Sequence, residues 1–130
     1  MSGSQELFRV KVEEEFSASH QLRNYGGRCE EMHGHNFRVL AEVEGTELDA
    51  DTGLLIDFKQ LRGSLRRILQ ELDHRHLNEV PAFREVNPSS ENLARHIYLS
   101  LERALSGSAV RLREVSVMEK QGSQATFTRA

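Results

Sequence analysis

Two runs of alternating apolar residues near the N-terminus restrict the fold more than any other feature of this chain. Apolar side chains fall on the same parity at Phe8, Val10, Val12, Phe16 and Ala18, and alternation resumes through Phe37, Val39, Ala41 and Val43 before Gly45. A period of two belongs to a strand with one buried face. The first run extends to about His20, and the interval after it contains Arg23-Asn24-Tyr25-Gly26-Gly27-Arg28, polar and glycine-bearing, which predicts a surface loop. Together these read as two antiparallel strands.

The remainder of the chain changes period. Asp57 precedes Phe58, Leu61, Leu65, Ile68, Leu69 and Leu72, the spacing of one helical face, so Asp57 is placed as N-cap of a helix ending near Asp73. Pro88 disfavours helix at Asn87, and Ser89 can cap a second run, Leu93, Ile97, Leu101 and Leu105. After Gly107, Val115 and Val117 alternate with polar residues up to Glu119, and Ala125 and Phe127 alternate beyond Gly122, as in a closing hairpin. The order ββααββ predicts an α+β fold, a four-stranded antiparallel sheet with two helices on one face. With 130 residues and no internal repeat or linker, one domain spanning 1–130 is expected.

Composition narrows the function. A net charge of −3 offers no overall field for nucleic acid or an anionic membrane, and no apolar run approaches the length needed to span a bilayer, about 20 residues. Cys29 is the single cysteine, so no intrachain disulfide can form, and a cytoplasmic setting is expected. Six Phe, two Tyr and no Trp leave the interior to Leu, Val and Ile, and self-association is expected to add burial.

The chemistry concentrates in histidine. His33 and His35 flank Gly34, so their side chains leave the same face of the second strand. His20 ends the first strand and approaches that spot if the two strands pair. Three neutral imidazoles favour zinc, and three protein ligands leave a coordination position free; iron or another divalent ion competes on the same ligands. The bland alternative is an incidental pair of histidines. All three nevertheless share parity with apolar neighbours, so the rings face a core where polar groups require partners.

Three further positions carry two readings each. Cys29, four residues before His33, is either a reactive thiolate near a cation or an inert buried thiol. Asp73-His74 is either a carboxylate-oriented proton shuttle or a helix terminus whose histidine suits the negative end of the helix dipole. Glu119 continues the parity of Val115 and Val117, and is either a carboxylate waiting for paired donors or a strand end turning to solvent.

Read in order, Phe16-Ser17-Ala18-Ser19-His20, Cys29 through Phe37 with His33-Gly34-His35, Gly53-Leu54-Leu55-Ile56-Asp57-Phe58, Leu72-Asp73-His74, Leu77-Asn78, Asn87-Pro88-Ser89-Ser90-Glu91-Asn92 and Val117-Met118-Glu119 resemble the 6-pyruvoyltetrahydropterin synthase / 6-carboxytetrahydropterin synthase family. The resemblance runs from about residue 8 to 119. The three residues between Cys29 and His33 are most similar to the bacterial 6-carboxytetrahydropterin synthases of queuosine biosynthesis.

This resemblance implies a tunnelling-fold subunit, trimers stacked as a homo-hexamer, and active sites at subunit interfaces. It implies zinc on His20, His33 and His35, a catalytic thiol at Cys29, a proton relay at Asp73 and His74, and a pterin anchor at Glu119. The implied reaction converts 7,8-dihydroneopterin triphosphate to 6-carboxy-5,6,7,8-tetrahydropterin with release of acetaldehyde and triphosphate. The sister elimination to 6-pyruvoyltetrahydropterin uses the same residues, and a zinc-holding binding module without turnover is the alternative of another class. Arg23, Arg28 and Lys120 are candidate triphosphate contacts, and His76 has no assigned role.

Overall fold

The computed structural model describes residues 5–129. Strand β1 (Phe8–His20) and strand β2 (His33–Gly45) form the expected antiparallel pair, in a register that sets Phe16 opposite Phe37, Ala18 opposite His35 and His20 opposite His33. Between them Tyr25 donates its amide to the Arg28 carbonyl at 2.7 Å. Gly26 and Gly27 at that tip have φ of 65° and 87°, a backbone that side chains disfavour at both central positions of a tight turn.

Helix α1 (Phe58–Gln70) starts at Asp57, whose carboxylate accepts from the Lys59 amide at 2.8 Å, and buries Leu61, Leu65 and Leu69. It stops short of the expected end near Asp73. The Glu71, Leu72 and Asp73 amides turn back onto the Ile68 and Leu69 carbonyls, and fully buried Leu72 anchors that turn. Helix α2 (Ser90–Ala104) is capped by Ser89, which accepts from the Asn92 amide at 3.1 Å. It buries Leu93, Ile97, Tyr98 and Leu101 on one face.

Strands β4 (Arg111–Lys120) and β5 (Ser123–Phe127) close the sheet as a hairpin, β4 pairing antiparallel to β2. The sheet has one strand more than the period-two pattern predicts. A two-residue strand β3 (Arg75–His76) pairs parallel with Ala18 and Ser19, giving the order β3-β1-β2-β4-β5. Two residues are too few to alternate visibly, and their place is set from outside: the His74 amide donates to the Ser17 carbonyl at 2.6 Å.

Helix α1 lies against β1 and α2 against β4 and β5, so both cover one face of the sheet, as expected. Under them Phe16 and Phe37 stack at 5.0 Å between fully buried leucines, including Leu61, Leu65 and Leu93. The uncovered face carries a charge ladder in which Glu42 and Glu44 receive Arg113 and Arg111, with Lys11 and Arg9 beside them. Among the described residues no helix is long and apolar enough to cross a membrane.

Candidate metal centre and active site

The hairpin register brings the histidines together. His20 and His33 are directly opposed, with His35 one pleat further along the same face, and the three ring centroids lie 4.6, 4.7 and 5.7 Å apart. The Nε2 atoms of His20 and His33 are 3.0 Å apart. Strand β4 then adds a fourth donor: the Glu119 carboxylate lies 2.8 Å from His20 Nε2 and 3.5 Å from His35 Nε2. One ligand atom from each of the four residues falls within 4.8 Å of all the others. Sequence reasoning foresaw the three imidazoles but left Glu119 outside the group. The missed signal was parity on neighbouring strands, since Val39 pairs with Val117 and puts Glu119 on the histidine face.

The hydrogen bonds behind the rings set their tautomers. His20 Nδ1 is 2.7 Å from the Pro88 carbonyl and His33 Nδ1 is 2.9 Å from the Glu31 carbonyl. A carbonyl only accepts, so both Nδ1 atoms carry a proton, and in the neutral form of each ring the lone pair is on Nε2. Two lone pairs and a carboxylate oxygen at 3 Å or less repel one another unless a cation lies among them. His35 completes the case: its Nε2 is buried and lacks a hydrogen bond. Burial lowers the His35 pKa, the Glu119 carboxylate opposes this, and His33, His20 and Lys120 add to the lowering, a net shift toward the neutral ring. Neutral imidazoles with a carboxylate fit zinc or a similar divalent ion.

Two asparagines hold the chain just beyond His20. Asn78 accepts from the Gln21 amide at 2.9 Å and donates to its carbonyl at 2.8 Å; Asn87 does the same for Arg23 at 2.8 and 2.9 Å. Each side-chain amide thus mimics a neighbouring strand, and Asn87 leads directly into the Pro88 carbonyl that orients His20. Arg23 is tied into the same knot. Its guanidinium donates to the carbonyls of Val86, Asn78 and Phe83 at 3.3, 3.2 and 2.8 Å, which turns it away from the role of triphosphate contact.

Asp73 and His74 do meet, although they are adjacent. His74 adopts φ of 59°, a left-handed conformation that folds its ring back until Nδ1 is 2.9 Å from Asp73 Oδ2. The other Asp73 oxygen accepts the Ser17 amide at 2.9 Å. That bond, with His74 beside it, outweighs desolvation and holds the Asp73 carboxyl below the usual range. The outer part of the His74 ring stays exposed and, with His35, Ser17, Ser19, Asn36 and His76, lines an open cavity of about 540 Å³. His76 acquires a structural place there, its Nδ1 3.0 Å from Ser19 Oγ.

Cys29 is exposed on the β1–β2 loop, outside the four-residue donor group. Its neighbour Glu30 staples that loop to the end of β1, accepting the Leu22 amide at 3.1 Å and donating its own amide to the Leu22 carbonyl at 2.8 Å.

Comparison with known proteins converges on one group. The family model described as 6-pyruvoyl tetrahydropterin synthase matches residues 9–130. The chain is 34% identical over 125 residues, 93% of both chains, to 6-carboxy-5,6,7,8-tetrahydropterin synthase of Synechocystis. It is 35% identical over 104 residues to human 6-pyruvoyl tetrahydrobiopterin synthase, covering 69% of this chain and 71% of that one. It is 32% identical over 111 residues to dihydroneopterin monophosphate aldolase of Pyrococcus furiosus, covering 85% and 89%. The fold is similar to that of the solved 6-pyruvoyl tetrahydropterin synthase of Caenorhabditis elegans, with a TM-score of 0.82 at 22% identity over 99% of this chain and 100% of that one.

Proposed function

The chain belongs to the 6-pyruvoyl tetrahydropterin synthase family and is a lyase of the pterin-synthase type, and from that premise we propose that it converts 7,8-dihydroneopterin triphosphate to 6-carboxy-5,6,7,8-tetrahydropterin. Triphosphate and acetaldehyde leave, and one water is taken up. The observation that carries the reading is the convergence of His20, His33 and His35, two of them with tautomers imposed by backbone carbonyls, so that Nε2 lone pairs meet.

When bound on these residues, zinc supplies Lewis-acid polarisation of the substrate's side-chain hydroxyls and lowers their pKa. The protein moves the protons. Asp73 orients His74 through Nδ1, which leaves Nε2 to take and return a proton at the face of the open cavity. Cys29 is the second proton carrier, on the loop that Glu30 staples to the end of β1. Glu119 presents two oxygens to the amino group and ring N–H of the pterin. With Arg23 committed to carbonyls, Arg28 and Lys120 are the remaining candidates for the triphosphate. The protein acts in the cytoplasm as a homo-hexamer, a dimer of trimers.

The sister reaction, elimination of triphosphate to 6-pyruvoyltetrahydropterin, shares these residues and is the second reading, supported by the similarity to the human enzyme. Metal analysis of the purified protein followed by incubation with dihydroneopterin triphosphate separates the two. The 6-carboxy product with acetaldehyde is expected by mass spectrometry; a pyruvoyl product without acetaldehyde assigns the sister reaction instead.

A further inference from the structure

The open cavity at the exposed side of His74 adjoins a second one of about 570 Å³, and His74, Arg75 and His76 line both. Strand β3 is therefore a sill between two compartments. Ser17, Ser19 and His35 line the first, where the relay histidine faces the substrate; Glu71, Glu79 and Arg84 line the second. The proton chemistry makes no use of the second compartment.

Its arginines are left without partners. Arg9, Arg38, Arg62, Arg66, Arg111 and Arg113 each pair with a carboxylate. Among the described residues Arg75 and Arg84 pair with none, although Glu71 and Glu79 share their cavity. Arg84 donates only Nε, to the Glu79 carbonyl at 3.4 Å, so its two terminal nitrogens have no protein acceptor. A guanidinium with unused terminal N–H groups suits a phosphate, which it can hold through two parallel bonds.

The chemistry of the proposed substrate gives this arrangement a direction. Its triphosphate hangs from the last carbon of the side chain, beside the carbons at which protons move. With those carbons at His74, the triphosphate lies one ester bond further on, and the next cation along the chain is Arg75 on the sill. Arg28 and Lys120, the sequence candidates left for this role, line neither cavity.

We infer that the second cavity is the triphosphate subsite, with Arg75 and Arg84 as the groups that hold the phosphates across β3. This rests on the pterin-synthase reading and adds to it two specificity-determining residues, which select the triphosphate over the same pterin with a bare side chain. Glu71 and Glu79 repel an uncomplexed polyanion, and Mg²⁺ carried on the triphosphate offsets that repulsion.

The probe is inorganic tripolyphosphate with Mg²⁺, which carries no pterin and so reads the subsite alone. Calorimetry on the whole protein is expected to show binding that competes with dihydroneopterin triphosphate, weakened about tenfold or more in Arg75→Ala and in Arg84→Ala and partly restored in Arg84→Lys. In turnover the alanine variants are expected to raise KM by that factor while kcat changes far less, the sign of lost binding rather than lost chemistry. Tripolyphosphate that fails to bind, binds wild type and both alanine variants equally, or is lost in Arg28→Ala or Lys120→Ala instead would overturn the inference. If pterin product still forms in that case, only this inference falls. A protein that binds tripolyphosphate through Arg75 and Arg84 but makes neither pterin product keeps the polyphosphate site and loses the proposed function.

Discussion

His20 and His33 face each other across β1 and β2 with their Nε2 atoms 3.0 Å apart, and each ring is turned there by a backbone carbonyl at its Nδ1. Neither carbonyl belongs to a partner strand in the sheet. One comes from Pro88, just before α2, and the other from Glu31, two residues before β2, so the candidate metal site depends in part on a segment far from the strands that carry its histidines.

The Asn87 bracket makes that dependence measurable. Asn87→Ala removes two hydrogen bonds to the Arg23 backbone and loosens the chain leading to the Pro88 carbonyl. A stability loss of about 1–3 kcal/mol is expected in denaturant melts. Zinc affinity should fall with it by roughly tenfold, since groups that orient a ligand are felt in binding. Unchanged zinc affinity in a destabilised variant would separate the bracket from the metal.

Cys29 lies outside the donor group and is exposed. Cys29→Ala is expected to keep its metal, by atomic absorption, while product formation falls roughly 10²- to 10⁴-fold, the contribution of a positioned acid or base. Loss of the metal would instead make the thiol a ligand.

Asp73→Asn tests the relay without dismantling it. The remaining oxygen can still accept the Ser17 amide, but the negative charge facing His74 Nδ1 is gone. The expected result is a kcat lowered by roughly 10²-fold or more with little change in KM, and a displaced pH optimum. An equal loss in Asp73→Asn and Asp73→Ala, accompanied by unfolding, would assign Asp73 to the turn alone.

The pH dependence follows from two histidines with lowered pKa. Burial lowers His96, with Glu71 opposing and Arg103 adding to the shift, and burial likewise leads at His35. On acidification the unfolded chain takes up these protons first, near the ordinary histidine value of about 6.5, so stability is complete above that pH and is lost as pH falls through it. Chelator-treated protein should therefore show a Tm that declines from pH 7 to 5, with a shallower decline in His96→Phe. Below pH 4 a further loss is expected as Asp73 and Glu14 protonate. At Glu14 burial raises the pKa, but Arg66 and Arg62 together outweigh it and hold the carboxyl low. Equal slopes for wild type and His96→Phe would refute the assignment of His96.

What the sequence alone determined is what short-range geometry encodes. Strand alternation commits His20, His33 and His35 to the face of Phe16 and Phe37, and the capping residues Asp57 and Ser89 mark where both helices begin. Those readings need only the repeat of a strand or a helix and its first unsatisfied amides. The tertiary structure decided the rest. The two-residue strand β3 exists because Ser17 catches the His74 amide, and Asp73 reaches His74 because one residue turns left-handed. Glu119 enters the donor set only through the β2–β4 register and the bulge that follows it, and Arg23 is taken out of contention by carbonyls from remote turns. Each of these is a pairing between segments distant along the chain, and local periodicity carries no record of which segment will arrive opposite which.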